Sequence, residues 1–315
     1  MLKFVITQTG FETISRRRRT LVKLLGIVPL LAAQPAMAID FLKLLEPKKD
    51  STGKEGPTDL EKALQILQGA NDIIGSSVEL DYESEMIIGK SVALEGFKRY
   101  GLPVKDDPLQ NYVNLVGQAV ARNFKPQDRT YFFVAVQSEV FNAFSCPGGI
   151  IFITSTLIRN LRDESQLAGV LAHEVAHVNL KHALQSIRRA KFFEGVGKIT
   201  VATTKVEKKE QYKNMINDLQ TVLFDQGLDQ NMEYEADRYG MEIAYRTGYQ
   251  PAGFIGVLEM LKQNEAGAVK KGSWFSTHPP LSQRIQRCKA KFQDYPDAGS
   301  MATVAHRFME HRNRF

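Results

Sequence analysis

Only two of the 315 residues are cysteine, one is tryptophan and six are histidine. Two cysteines, Cys146 and Cys288, allow at most one disulfide. A bridge and a pair of buried thiols are equally open readings, because pairing depends on a spatial distance. Long apolar runs are also scarce. The most apolar stretch, residues 24–33, is too short for a spanning helix, which needs about 20 residues. The mature chain is therefore expected to be soluble. No internal repeat is present. Outside the first 38 residues there is almost no charge of one sign, since 35 basic residues stand against 34 acidic ones. The basic excess behind the net charge of +6 and the pI of about 9.1 thus belongs almost wholly to the leader, and a nucleic-acid partner is not expected.

That leader, residues 1–38, carries Arg16-Arg17-Arg18-Arg19 ahead of the apolar stretch and ends in the small-x-small site Ala36-Met37-Ala38. This is the layout of an export signal cleaved after Ala38. Arg18-Arg19 followed by Leu21 and Val22 is similar to a twin-arginine signal. The general secretory route is the second reading and an uncleaved anchor the third. Ile39, not a cysteine, directly follows the cleavage site, which argues against a lipoprotein. The chain is expected to be exported and periplasmic, with peripheral membrane association left open. Residues 39–58 form a charged, flexible lead-in, 59–293 the folded domain, and 294–315 a weakly patterned tail.

Helical spacing dominates the domain. In "DPLQNYVNLVGQAVARN" an apolar face of Leu109, Tyr112, Val113, Val116 and Val120 follows Asp107 as N-cap and Pro108 at the first helical position. "TYFFVAVQ" reads as a strand, and "FNAFSCPGGIIFIT" as two extended segments joined by Pro147-Gly148-Gly149. Met215, Ile216, Leu219, Val222 and Leu223 mark another amphipathic helix. The fold class is α+β, mainly helical, with a small antiparallel sheet.

Three short motifs carry chemistry. "VLAHEVAHVNLKH" opens on a helix capped by Asp163, and places His173 and His177 four residues apart on one side of it. Two imidazoles so placed can bind one ion, and Glu174 beside them can take a proton from the water that the ion activates. At about 100° per residue, His182 lies roughly 160° away and is not expected on the same ion. The other reading is a helix whose histidines are surface or core residues. "NMEYEADRYG" weighs against it, because Glu233 supplies the third ligand of a catalytic zinc and Asp237, one turn on, can orient a histidine. Glu235 points elsewhere and is expected in solvent. In "WFSTHPPLSQRI", His278 sits in a turn closed by Pro279-Pro280 and Arg284 on the next helix, both suited to stabilising an oxyanion. The bland reading of that pair is a loop cap and a solvated arginine.

HEVAH, EYEAD and STHPPLSQRI, in this order, resemble the CAAX-prenyl-protease-like zinc metallopeptidases, the group that includes HtpX-like and soluble periplasmic quality-control proteases. The resemblance covers about two-thirds of the chain. It implies a zincin-like (gluzincin) domain with zinc on His173, His177 and Glu233, Glu174 as general base and Asp237 behind the ligands. It implies that His278 either approaches the metal and holds the enzyme latent or contacts the transition state. It also implies that the strand of Asn142, Ala143 and Phe144 is an edge to which an extended peptide adds. Ser145-Cys146 replace a more usual aliphatic pair, and Asp229-Gln230-Asn231 a more usual Ser-Arg pattern. Lacking several spanning segments, the chain is not of the intramembrane type.

The expected function is a one-zinc endopeptidase acting on unfolded or misassembled envelope proteins. A zinc-stabilised chaperone or binding module with silent proteolysis is the alternative, motivated by His278 and by the polar segment 205–230 as a lid. A small-molecule metal hydrolase is the third reading, weakened by the strand beside the motif.

Overall fold

The computed structural model describes residues 80–125, 127–193, 205–265, 273–278 and 280–314. The export signal, the lead-in, the first 21 positions of the domain and Pro279 lie outside these residues. Along the described chain, helices α1 (Tyr82–Tyr100) and α2 (Asp107–Ala121) precede strands β1 (Phe132–Val136), β2 (Ala143–Cys146) and β3 (Ile150–Thr154). There follow α3 (Ser155–Asn160), α4 (Glu164–Asn179), α5 (His182–Phe193), α6 (Lys205–Thr221) and α7 (Gln230–Thr247). The chain closes with α8 (Ala252–Asn264), the single turn α9 (Trp274–Thr277), α10 (Leu281–Phe292) and α11 (Ala305–Arg312).

The sheet has the order β1-β3-β2 and is mixed: β2 pairs β3 antiparallel, but β1 pairs β3 parallel. Side chains alternate between two faces along each strand. Phe133, Ala135, Ile151 and Ile153 enter one core with α2, α4, α7, α8 and α10, while Val134, Val136, Ile150 and Phe152 enter a second core with α1 and α6. Burial on both faces is why "FFVAV" and "IIFIT" read as continuous apolar runs rather than alternating ones. The β2–β3 link turns at Gly148, whose φ is 79°. A Cβ there would also meet the Met86 backbone at 2.6 Å, so α1 packs directly on the turn.

Helix starts follow their caps, with one shift. Asp106, not Asp107, caps α2, its carboxylate accepting from the Leu109 N–H at 2.8 Å, so Pro108 takes the second helical position. Asp163 caps α4 as expected, accepting from the Gln166 N–H at 3.0 Å. Helix α4 is buried from Glu164 to Val178 on all sides, not along one stripe. A helix enclosed in this way is the rigid element of a core. The expected amphipathic helix is α6 with Met215, Ile216 and Leu219 buried, but Val222 opens a wider π turn, Val222–Gln226.

The tail is not separate from the domain. Tyr112 and Tyr249 both donate 2.6 Å hydrogen bonds to the buried Glu164 carboxylate at the start of α4, and Arg307 of α11 donates to it from Nε at 2.6 Å. Phe308 is fully buried behind them. Cys146 and Cys288 are both buried free thiols. Among the described residues no helix is long and apolar enough to cross a membrane.

Candidate metal centre

Helix α4 holds His173 and His177 with their Nε2 atoms 3.0 Å apart. Helix α7, capped by Asp229 on the Asn231 N–H at 2.8 Å, brings Glu233 against them. Glu233 Oε2 lies 3.6 Å from His173 Nε2, and Oε1 lies 3.4 Å from His177 Nε2. This approach depends on Gly240, where a Cβ would lie 3.0 Å from the N and Cα atoms of His173. A glycine inside a helical pattern is the sequence sign of such packing, and the motif spacing alone does not point to it.

His278 completes the group from a different direction. Its ring stacks on the buried Trp274 at 4.3 Å, and its Nδ1 lies 2.8 Å from Thr277 Oγ1. That leaves Nε2 facing the site, 3.7 Å from Glu174 Oε1. His173, His177, Glu233 and His278 each offer one ligand atom, and these four atoms lie within 4.8 Å of one another.

Burial sets the protonation states. It holds His173 down to about 4 and His177 and His278 well below the usual imidazole range. Neutral imidazoles are the form that binds a cation. Burial pushes Glu174 up to about 8 and Glu233 well above the carboxylate range, against the pull of Arg284. Burial also acts to raise Asp237, but Arg284 and His173 outweigh it and hold that carboxyl low. Neither oxygen of Glu233 or Glu174 receives an aligned hydrogen bond, although Arg284 Nη1 is 2.8 Å from Glu233 Oε2. Buried carboxylate oxygens left in this way are costly unless a cation meets them. Two ligand atoms on a tetrahedral ion at about 2.1 Å lie roughly 3.4 Å apart, close to the separations found here. The residues present therefore fit a divalent cation.

Asp237 Oδ1 lies 3.0 Å from His173 Nδ1, the contact expected of it. Arg284 departs from the reading of a solvated arginine. It is fully buried rather than solvated, and its donors are committed: Nε and Nη2 to Asp237 at 2.8 and 2.6 Å, Nη1 to the His278 carbonyl at 2.8 Å. These are three of its five N–H groups, and Nη1 also lies 2.8 Å from Glu233 Oε2, so it braces Asp237, Glu233 and the His278 turn. His182 is absent from the four-residue group but not on the far side of the motif helix, because α4 ends before it; its Nδ1 lies 2.9 Å from His177 Nδ1. Glu235 is 45% exposed, yet its Oε2 is 3.4 Å from His182 Nε2.

Asn142, Ala143 and Phe144 are buried at the sheet edge. Asn142 donates to Tyr100 Oη at 3.2 Å, and Phe144 lies between Phe152, stacked at 4.6 Å, and Phe224, edge-on at 5.1 Å. Phe144 is thus core, and its face of β2 is covered by the π turn. Between Ser145, Glu174, His177 and His278 on one side and Leu223 and Leu228 on the other is a cavity of about 10 Å³, enough for one water.

A model described as Peptidase family M48 matches residues 108–291. The chain belongs to Peptidase family M48. The match includes HEVAH, EYEAD and most of the helix bearing Arg284, in agreement with the resemblance read from those motifs. Among M48 relatives, the chain is 28% identical over 262 residues to the beta-barrel assembly-enhancing protease of Yersinia pestis, covering 78% of this chain and 53% of that protein. It is 32% identical over 153 residues to the mitochondrial metalloendopeptidase OMA1 of Saccharomyces cerevisiae, covering 46% of this chain and 41% of that one. With the metalloprotease YcaL of Escherichia coli (strain K12) it shares 24% over 148 residues, 47% of this chain and 57% of that one. The chain spans about half the length of the curated relatives it matches.

Proposed function

We propose that the chain is a zinc-dependent endopeptidase of periplasmic protein quality control, cleaving unfolded or misassembled envelope proteins. One observation carries the catalytic part: the buried Glu174 carboxyl, next in sequence to His173, borders a cavity of about 10 Å³ together with His177 and His278. His173, His177 and Glu233 hold the metal, one per chain. Zinc, when bound, supplies Lewis acidity that activates water and polarises a carbonyl. Glu174 takes the proton from the water in the cavity and delivers it to the leaving amine. Asp237 keeps His173 in register, and Arg284 keeps Asp237 charged. His278 Nε2 faces the position where the attacked carbonyl oxygen would develop charge. The β2 edge offers main-chain pairing to an extended substrate, which fits a peptide better than a small molecule. Relatives named for enhancing β-barrel assembly support an envelope substrate and an exported location.

A second reading has its own observation. Every group of the site is at most 4% exposed, and His278 sits among the ligand atoms. In this reading His278 takes the fourth position on the metal, the π turn closes the cleft, and the protein acts mainly as a zinc-stabilised binding module until the cleft opens.

The test is zinc content and casein hydrolysis of the mature chain from Ile39, beside Glu174→Gln. About one zinc per chain in both proteins, with hydrolysis lost about 10²- to 10⁴-fold in the variant, is the expected result. Full activity in Glu174→Gln would remove the general base, and bound zinc without hydrolysis would favour the binding module.

A further inference from the structure

The motif helix stops short of its third histidine. Helix α4 ends at Asn179, Lys181 turns the chain with a φ of 54°, and α5 begins at His182. A left-handed backbone is disfavoured for any residue with a Cβ, so a lysine held there calls for a reason. The turn is anchored by Lys181 Nζ, 2.8 Å from the buried Glu85 Oε1. Its consequence is local: His182 folds back so that its Nδ1 lies 2.9 Å from His177 Nδ1, the rings meeting edge to face at 73°. Beyond it, Glu235 Oε2 reaches from α7 to 3.4 Å of His182 Nε2, within range of that nitrogen but not aligned as a hydrogen bond.

Only one placement of protons suits this chain of contacts once His177 binds a cation through Nε2. Its proton must then sit on Nδ1, which makes it the donor to His182. His182 Nδ1 must accept, so the His182 proton sits on Nε2 and faces Glu235. A carboxylate can only accept, and it selects that tautomer. His173 is served separately by Asp237 and Arg284.

We infer that His182 and Glu235 form a positioning relay that fixes the tautomer and ring plane of His177 for metal binding. The inference rests on the zinc reading of the site. Neither residue touches the metal or the reacting atoms. The relay also joins α5 and α7 to a ligand of α4, so the same helix that supplies Glu233 sets the second histidine two residues further on.

The experiment measures zinc affinity by chelator competition on the full chain for wild type, His182→Ala, His182→Asn, Glu235→Ala and Glu235→Gln. Melting temperatures of the metal-free proteins and visible spectra of the cobalt(II)-loaded ones are recorded beside it. His182→Ala should weaken zinc about 10- to 100-fold and change the cobalt spectrum. His182→Asn, whose amide oxygen can accept from His177, should recover most of both. Glu235→Ala should give a smaller loss, and Glu235→Gln, which keeps an acceptor, almost none. Unchanged affinity in His182→Ala and Glu235→Ala overturns the relay, as do equal losses in Ala and Asn that follow the melting temperature. If His182→Ala does not fold, the half-exposed Glu235 variants decide: wild-type affinity in Glu235→Ala overturns it. A wild type that binds no zinc overturns the metal reading and the relay together, whereas zinc-replete wild type with insensitive variants overturns the relay alone.

Discussion

Arg284 and Asp237 form a two-pronged ion pair sealed from solvent, with Nε 2.8 Å from Oδ2 and Nη2 2.6 Å from Oδ1. The pair stands directly behind His173, and Arg284 brings its positive charge to both the buried Glu233 and Asp237 carboxylates. Arg284→Ala leaves both carboxylates without it. Breaking a buried pair from one side costs about 3–5 kcal/mol, a large part of the roughly 5–15 kcal/mol that holds a domain folded. Arg284→Lys keeps the charge but not the planar fork, and should fall between. Urea denaturation with zinc content reads both effects. Stable, zinc-replete Arg284→Ala with only slowed turnover would favour the oxyanion role.

Gly240 tests how closely α4 and α7 must approach. An added methyl would stand 3.0 Å from the His173 backbone, so Gly240→Ala has to move the helices by a few tenths of an ångström. Overpacking of this kind costs about 1–3 kcal/mol. Zinc affinity should drop while the fold survives. Chelator competition and circular dichroism together would detect it, and wild-type affinity would show that Glu233 tolerates the shift.

His278→Ala separates the two functional readings. One of its ring nitrogens belongs to the four ligand atoms gathered within 4.8 Å, and its side chain lines the cavity beside Glu174. The expected outcome is slower casein hydrolysis with zinc retained, since three protein ligands are enough to hold the metal while the oxyanion loses its donor. Faster hydrolysis would instead make His278 the fourth ligand that keeps the site latent.

Arg307→Ala asks whether the last helix braces the site. Glu164 keeps its two tyrosine hydrogen bonds in the variant but loses a partly exposed cation. A hydrogen bond to a charged group is worth about 2 kcal/mol, or a melting temperature lower by roughly 4–8 °C for a domain of this size. Calorimetry checks the shift, and no shift would mean that α11 is only an appendage.

The candidate metal site was legible from the chain because four of its residues come in two pairs four apart, a spacing that one helix converts into a shared face. His173 with His177 and Glu233 with Asp237 need no tertiary information to be grouped. The same local rule failed at His182, where the angle was reckoned along a helix that Lys181 ends. It failed again at Asp106 and Asp107, two adjacent acids of which only the backbone direction selects the cap. Arg284 was found but its partners were not, since its spacing from His278 says nothing of which carboxylates face it.

By itself, then, the amino-acid order determined the residue types of the site, the helices that bear them and the strands that flank them. All of these rest on interactions between near neighbours in the chain. Only the tertiary structure decided that β1 runs parallel to β3, that the two cysteines stay apart, and that the tail docks through Arg307 on Glu164. The same holds for Arg284 serving Asp237 and for His182 turning back on His177. Each of these depends on which distant backbones approach each other, and close packing settles that through contacts such as Gly240 on His173, to which local spacing is blind.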